Sequence, residues 1–394
     1  MKKKILTSIL AASAAIACAA TMAGCETLGT PVGNGTENGT QQGASGNVSQ
    51  SGSTTPAPSH THTYESGYTF DKYSHWHASS CGHAEEISGK AAHNLDENGC
   101  KDCGFKYTQG LEYKLNTYTN EYSVVGVGTA TDSVLIIPPK YNGLPVYAVG
   151  YNAFNGCTQL TRVIMPDFSS AFCAFGEYAF ANCPNLTSVE LPSTLKELYR
   201  GNFENCVNLK SIELPEALTH IGDDAFVNCG ITELYIPKNV YQINPTAFRA
   251  SNIEKITVDP ANPYIRSEGN CIIDNSGNKG EIITALKTAV IPASAQNIGT
   301  NAFYECAGLT QIDIPSNITT IKSYGFLYCR DLTEVTLHVG ITALQSGAFT
   351  GCPSLKDIRF DGTKAQWNAI QKPSNWIKDC GGFTVYCTDG TLTN

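Results

Sequence analysis

At 394 residues the chain is too long for one ordinary hydrophobic core, so several modules or a repeat array are expected. Hydrophobic residues make up 42% and charged residues only 15%, which excludes a wholly disordered chain and a charged helical bundle. With 26 Lys plus Arg against 35 Asp plus Glu, the net charge of -9 argues against a nucleic-acid partner, which needs a basic stripe.

Residues 1–24 read as an export address rather than as fold. Lys2, Lys3 and Lys4 precede a short, Ala-rich apolar stretch that ends in Met22-Ala23-Gly24-Cys25. This looks like a bacterial lipoprotein signal, which implies lipidation of Cys25 and attachment to a membrane through the lipid; a plain secretory signal is the alternative. Residues 26–59 are rich in Gly, Ser, Thr, Asn, Gln and Pro. They bury too little apolar surface to offset ordering entropy, so they read, with Cys25, as a lipidated flexible tether over 25–59.

Residues 60–110 form a small Cys/His-rich module. Its chemistry-bearing residues run His60, His62, His75, His77, Cys81, His83, His93, Cys100 and Cys103. Cys100-Lys101-Asp102-Cys103 has the spacing that lets two thiolates grip one tetrahedral metal, and Gly104 permits the turn. Cys81-Gly82 resembles half of a second such knuckle. A structural zinc would then take Cys81, Cys100 and Cys103 with one His: His93 first, His77 or His83 as alternatives. A Cys100–Cys103 disulfide, or a ribbon that has lost its metal, are the competing readings. No His-Glu-x-x-His pattern accompanies the cluster, which argues against a catalytic metal.

The rest of the chain repeats. Phe recurs at 154, 180, 203, 226, 248, 303, 326 and 349, and Cys follows three residues later at 157, 183, 206, 229, 306, 329 and 352; Ser251 is the exception. An apolar alternation and usually a Pro close each unit, as in Ile298 to Pro315. The alternation predicts a short strand with one face inward, the Pro ends it, and Gly222 and Gly299 are expected at tight bends. No single unit can bury its own apolar face, so the units must stack. The one-phase Cys residues are expected to stack inside as reduced, buried small hydrophobes. Cys380 and Cys387 lie outside the repeat phase and could pair.

This pattern resembles the BspA-like leucine-rich repeat family of bacterial cell-surface proteins, over about 111–394. The resemblance implies a mostly β solenoid, curved, with coils of about 23 residues and a parallel sheet on the concave side. Residues 111–150 read as a β-rich N-terminal cap and 360–394 as a C-terminal cap. Residues 260–289 read as an insertion, with a hairpin around Asn275-Ser276-Gly277-Asn278 that projects from the array or folds over its edge.

Function in such an array is expected on the residues that alternate with the inward ones. These include Ser188 and Glu190, Ser211 and Glu213, Glu233 and Tyr235, and Gln311 and Asp313. Glu190, Glu213, Glu233 and Tyr235 are the expected ligand-binding residues on a mildly acidic ribbon. No nucleophile–base pair, phosphate loop or dinucleotide motif is present, so catalysis is not expected. The resemblance implies an adhesin-like, lipid-anchored module on the extracellular face of the envelope that binds host or bacterial surface proteins. A scaffold or spacer, or a glycan-binding accessory lipoprotein, is the alternative; the latter needs aromatic platforms, and the chain has three Trp.

Overall fold

The 23-residue period of Phe and Cys is the period of a coil. The computed structural model describes residues 62–81, 87–96, 98–165, 167, 174–277 and 280–393. The signal, Cys25, the tether, His60, His83 and Pro166 lie outside the described residues. Residues 61–394 cluster as one unit. It is a β-solenoid of about 11 turns with almost no helix.

Two parallel ladders run along the array. One is built from strands of three or four residues. Val134–Ile136, Arg162–Ile164 and Ser188–Glu190 pair side by side, then Glu233–Ile236 with Lys255–Val258, then Gln311–Ile314, Glu334–Leu337 and Asp357–Phe360. This long-strand face is interrupted at residues 211–214 and at the insertion. The other ladder uses two-residue strands such as His220–Ile221 and Gln242–Ile243. Registers such as Leu234 opposite Ile256 and Ile312 opposite Val335 keep the apolar set of every coil on the inner side.

Each coil turns between the ladders on residues with positive φ. The residue before the repeat Cys, or before Ser251 in its place, is left-handed in every one of these coils: Gly156, Asn182, Asn205, Asn228, Ala250, Glu305, Tyr328 and Gly351. Asn tolerates this conformation better than most side chains. Here it also forms an outward ladder. Asn182 Nδ2 donates to Asn155 Oδ1 at 2.9 Å, Asn205 to Asn182 at 2.8 Å, and Asn228 to Asn205 at 3.0 Å. Gly299 has another reason to be glycine. A Cβ there would lie 2.5 Å from the carbonyl oxygen of Ile282, so it is the close approach of the neighbouring coil that excludes a side chain.

Inside, the Phe rings form a column. Successive centroids from Phe154 to Phe248 are 5.3, 5.9, 5.9 and 6.1 Å apart with near-parallel planes. The column resumes from Phe303 through Phe326 to Phe349 at 4.6 and 5.0 Å. Beside it run the thiols. Cys183, Cys206, Cys229, Cys329 and Cys352 each donate to the carbonyl of the Phe one coil earlier, at 2.8–3.2 Å. The repeat Cys is therefore a compact apolar group that also satisfies a buried carbonyl. Cys380 joins the same column by donating to Phe349 O at 2.9 Å. No disulfide forms among the described residues, and Cys380 and Cys387 remain thiols.

The insertion is built into the array. Cys271–Asp274 and Glu281–Ala285 form an antiparallel hairpin, and Glu281–Ala285 then pairs in parallel with Asn297–Ile298, the next short strand. The segment divides the interior: Ile272 packs into the N-terminal core, whereas Cys271 and Ile273 pack into the C-terminal one. That alternation along one strand separates Phe248 from Phe303 and accounts for the break in the column.

At the C-terminal end Thr384–Cys387 adds a last parallel rung and Gly390–Thr393 folds back antiparallel. The helix Lys364–Ala369 starts from a Thr363/Gln366 capping box. It buries Trp367 against Phe360, and Trp376 meets Phe349 edge-on at 6.1 Å, closing the ring column. At the other end Glu112–Asn116 and Glu121–Gly126 form a hairpin that leads into Leu144–Val149.

Candidate functional site

On the long-strand face the alternation of burial aims every second side chain outward. Glu213, Glu233, Tyr235, Lys255, Gln311, Asp313 and Arg359 are exposed. The Tyr235 hydroxyl is hydrogen-bonded to Asp259, which raises its pKa. Further along, His338 is held between two carboxylates, Nε2 at 2.9 Å from Asp313 Oδ1 and Nδ1 at 2.6 Å from Asp361 Oδ2. Desolvation disfavours its charged form, but the hydrogen bonds and charges of Asp361 and Asp313 outweigh this and raise its pKa.

Glu190, expected on the open ribbon, is engaged instead. Its Oε1 pairs with the Arg162 guanidinium at 2.5 Å and its Oε2 accepts the Lys72 backbone N–H at 3.0 Å. Lys72 comes from the Cys/His module, which lies on the first three long strands. Lys72 Nζ also donates to Leu191 O and lies 3.6 Å from Asp167; the Tyr73 hydroxyl reaches Asp167 at 3.2 Å. Arg162 donates to Phe70 O at 2.9 Å. Beneath these polar contacts, Phe105, Tyr107 and Cys100 of the module share a core with Ile136 and Ile164, side chains that a bare sheet would turn to solvent. Where the module ends, an open groove of about 670 Å³ begins, lined by Tyr73, Ser188, Glu190, Ser211, Glu213 and Glu216 among others.

The module itself is a three-stranded antiparallel sheet, Thr69–Phe70, Ser74–Ala78 and Ile87–Ala92, followed by the Cys100–Cys103 turn. It gathers His75, His93, Cys100 and Cys103, whose ligand atoms all lie within 4.8 Å of one another. Cys103 Sγ is 3.5 Å from His93 Nδ1, and Cys100 Sγ is 3.9 Å from His75 Nδ1. His93 Nε2 lies 2.8 Å from the Asp71 carbonyl, to which it donates; that fixes Nδ1 as the lone-pair nitrogen. Burial works against the Cys100 thiolate, but hydrogen bonds from backbone N–H groups, that of Asp102 foremost, lower its pKa. Burial and the neighbouring Cys100 push Cys103 up to about 11. Two thiols and two imidazoles at this spacing are a donor set compatible with a metal.

Three of the four expected ligands, His93, Cys100 and Cys103, are thus together, and His75 takes the place given to Cys81. The Cys81 thiol lies 2.8 Å from Ser79 Oγ and 3.3 Å from His62 Nδ1, outside the cluster. His77, an alternative ligand, instead has Nδ1 3.1 Å from Gly67 O and stacks on Tyr68. The register slips between His75 and His77 because Ile87–Ala92 carries an extra residue, but both histidines contact the Tyr68 ring and so share a face; His77 is held at Gly67 rather than in the cluster. That bulge carries no signature in the residue spacing.

The array thiols are not poised for chemistry. Burial raises Cys157, Cys183, Cys206, Cys229, Cys271 and Cys306, with Cys229, Cys271 and Cys306 at about 12, and a hydrogen bond with Cys329 is the first cause that raises Cys352.

Comparison with known proteins bears on the array. Solved structures of leucine-rich repeat proteins are similar to it. One from Bacteroides ovatus is 24% identical, with 64% of this chain and 70% of that chain covered and a TM-score of 0.46. One from Eubacterium ventriosum is 22% identical, with 64% and 71% covered and a TM-score of 0.49. A leucine rich cell surface protein from Faecalibacterium prausnitzii is 21% identical, with 68% and 97% covered and a TM-score of 0.38. None of the curated proteins matches. The BspA type leucine rich repeat region matches in six copies over residues 142–258 and 282–373, more than half of the chain. With the stacked Phe and Cys columns, this means that the chain belongs to the BspA type leucine-rich repeat family.

Proposed function

We propose that this protein is a lipid-anchored module of the bacterial cell surface that binds host or neighbouring-cell proteins, in the manner of an adhesin, through the open part of its long-strand face. Cys25 carries the lipid, residues 26–59 are the tether, and Glu213, Glu233 and Tyr235 are the binding residues. Membership of a repeat family of surface proteins supports a protein-interaction role in general. The observation that carries the finer reading is the division of the face. Its first three strands are covered by the chain's own module, whereas Glu213, Glu233, Tyr235, Lys255, Gln311 and Asp313 beyond it are exposed. A ribbon carrying Glu213, Glu233 and Asp313 around Tyr235 suits a partner that offers a basic patch and a pocket for an aromatic ring. Glu190 leaves the binding set, because Arg162 already neutralises it and the Lys72 backbone N–H occupies its other oxygen.

The test is capture from host and bacterial surface extracts by the lipid-free chain starting at residue 26, compared with Glu213→Lys/Glu233→Lys and with a control reversal at Glu254. Loss of the same partner with the double reversal, and not with the control, supports the reading; equal capture by all three contradicts it. For the module we propose a structural zinc on His75, His93, Cys100 and Cys103.

A further inference from the structure

We propose that this metal site is a latch. Zinc holds the N-terminal module down over Val134–Ile136, Arg162–Ile164 and Ser188–Glu190, and its loss frees that end of the face. The inference rests on the structural-zinc reading and gives the metal control over a surface.

The geometry of the site comes first. A tetrahedral zinc with Zn–S of about 2.3 Å and Zn–N of about 2.0–2.1 Å places its nitrogen and sulfur ligands about 3.5 Å apart. The two N···S distances here are 3.5 and 3.9 Å. His75 and Cys100 are buried, at 4% and 7% exposure, while His93 and Cys103 are half-buried. The Asp71 carbonyl holds His93 in the tautomer a metal needs, which is the usual outer-shell partner of a ligating imidazole.

The second part is what the ligands are tied to. Asp71, which orients His93, is followed by Lys72, whose backbone and ammonium grip Glu190 and Leu191. Cys100 N–H donates to Phe105 O at 2.7 Å, and Phe105 packs on Phe70, Ile136 and Ile164. Phe70 O is the acceptor for Arg162. Both halves of the ligand set thus continue directly into the contacts with the array.

The third part is the size of the module. Its strand Ile87–Ala92 is half-buried at one end and exposed over the rest, and the buried cluster of Cys100, Phe105 and Tyr107 is completed only by residues of the array. A segment of this size falls near the limit of about 40 residues below which metals or disulfides are needed. Metal-binding free energy in such a segment is folding free energy. Without zinc, Phe70 and Phe105 are kept in place only by their contacts with the array.

The experiment uses the chain from residue 26, zinc-loaded and chelator-stripped. Native mass spectrometry counts the metal, and hydrogen exchange follows two sets of amides. The Ile136 amide donates to Thr108 Oγ1 and the Thr108 amide to Ile136 O, so both report on the junction. Amides of Gln311–Ile314 and Glu334–Leu337 report on the distant array. The expected result is one zinc per chain, with exchange at Ile136 and Thr108 accelerated about tenfold or more on stripping while the distant amides keep their protection. Phe70→Ala, which removes no ligand atom although its ring meets His93 edge-on at 6.5 Å, should keep the zinc and still accelerate exchange at Ile136. Absence of stoichiometric zinc overturns the site and the latch together. Stoichiometric zinc with unchanged exchange after stripping, or loss of protection throughout the array, overturns the latch and leaves the zinc reading standing. Unchanged exchange in Phe70→Ala also overturns it.

Discussion

The thiol of Cys229 donates a 2.8 Å hydrogen bond to the backbone carbonyl of Phe203 in the preceding coil. The contact recurs at Cys183, Cys206, Cys329 and Cys352 and gives those coils a buried donor beside the ring column. Cys229→Ala removes the sulfur and leaves the Phe203 carbonyl with only the Cys206 N–H, at 3.3 Å. The cavity and the lost bond together should cost about 2 kcal/mol. Cys229→Ser keeps a donor and should cost less. Urea denaturation of both variants at unchanged slope checks the order; an Ala variant as stable as the parent contradicts the donor role.

Ala250 occupies the left-handed position with φ of 50° that Asn fills in three earlier coils, and it is exposed. A left-handed conformation costs a non-Gly residue about 1–2 kcal/mol. Ala250→Asn should relieve part of this and extend the side-chain ladder that stops at Asn228, raising stability by about 1 kcal/mol. Ala250→Val should lower it. Thermal melting of the two variants gives the sign directly.

His338 links the sheet to Asp361 and Asp313. Its pKa is raised in the fold, so its contribution to stability is fully present below its unfolded value of about 6.5 and is lost as pH rises through the higher folded value. The difference in urea midpoint between the parent and His338→Gln should therefore be largest in mild acid and shrink toward alkaline pH. A difference that grows with pH would refute the assignment.

Trp376 closes the Phe column through its edge-on contact with Phe349. Trp376→Ala should cost about 3–5 kcal/mol. Because a solenoid is held by nearest-neighbour contacts, the loss should fall on the last coils first. Hydrogen exchange should accelerate in Glu334–Leu337 and Asp357–Phe360 while Arg162–Ile164 stays protected.

The array was legible because its signal repeats: one Phe or one Cys says little, but their common phase places both inside every coil. The hydrogen bond from each thiol was not legible, since it depends on where the neighbouring carbonyl falls. The fate of Glu190 was hidden for a different reason. Its partners Lys72 and Arg162 are 118 and 28 residues away, and nothing in the spacing shows that a Cys/His module settles on a sheet. Ile136 and Ile164 were the available hint, because two isoleucines pointing outward from adjacent rungs ask for a cover. The Cys/His cluster was readable at Cys100, Cys103 and His93, and His75 was missed because the spacing does not show which of two histidines on one strand face lies against the Cys100–Cys103 turn.

The most direct measurement of the account is the affinity of a captured surface partner for three forms of the chain: the parent, Glu213→Lys/Glu233→Lys, and Glu190→Gln. The open ribbon beyond the module is the binding face if the double reversal weakens binding about tenfold or more, as loss of hot-spot contacts does, while Glu190→Gln leaves it unchanged. Binding unaffected by the double reversal, or lost on Glu190→Gln alone, would contradict it.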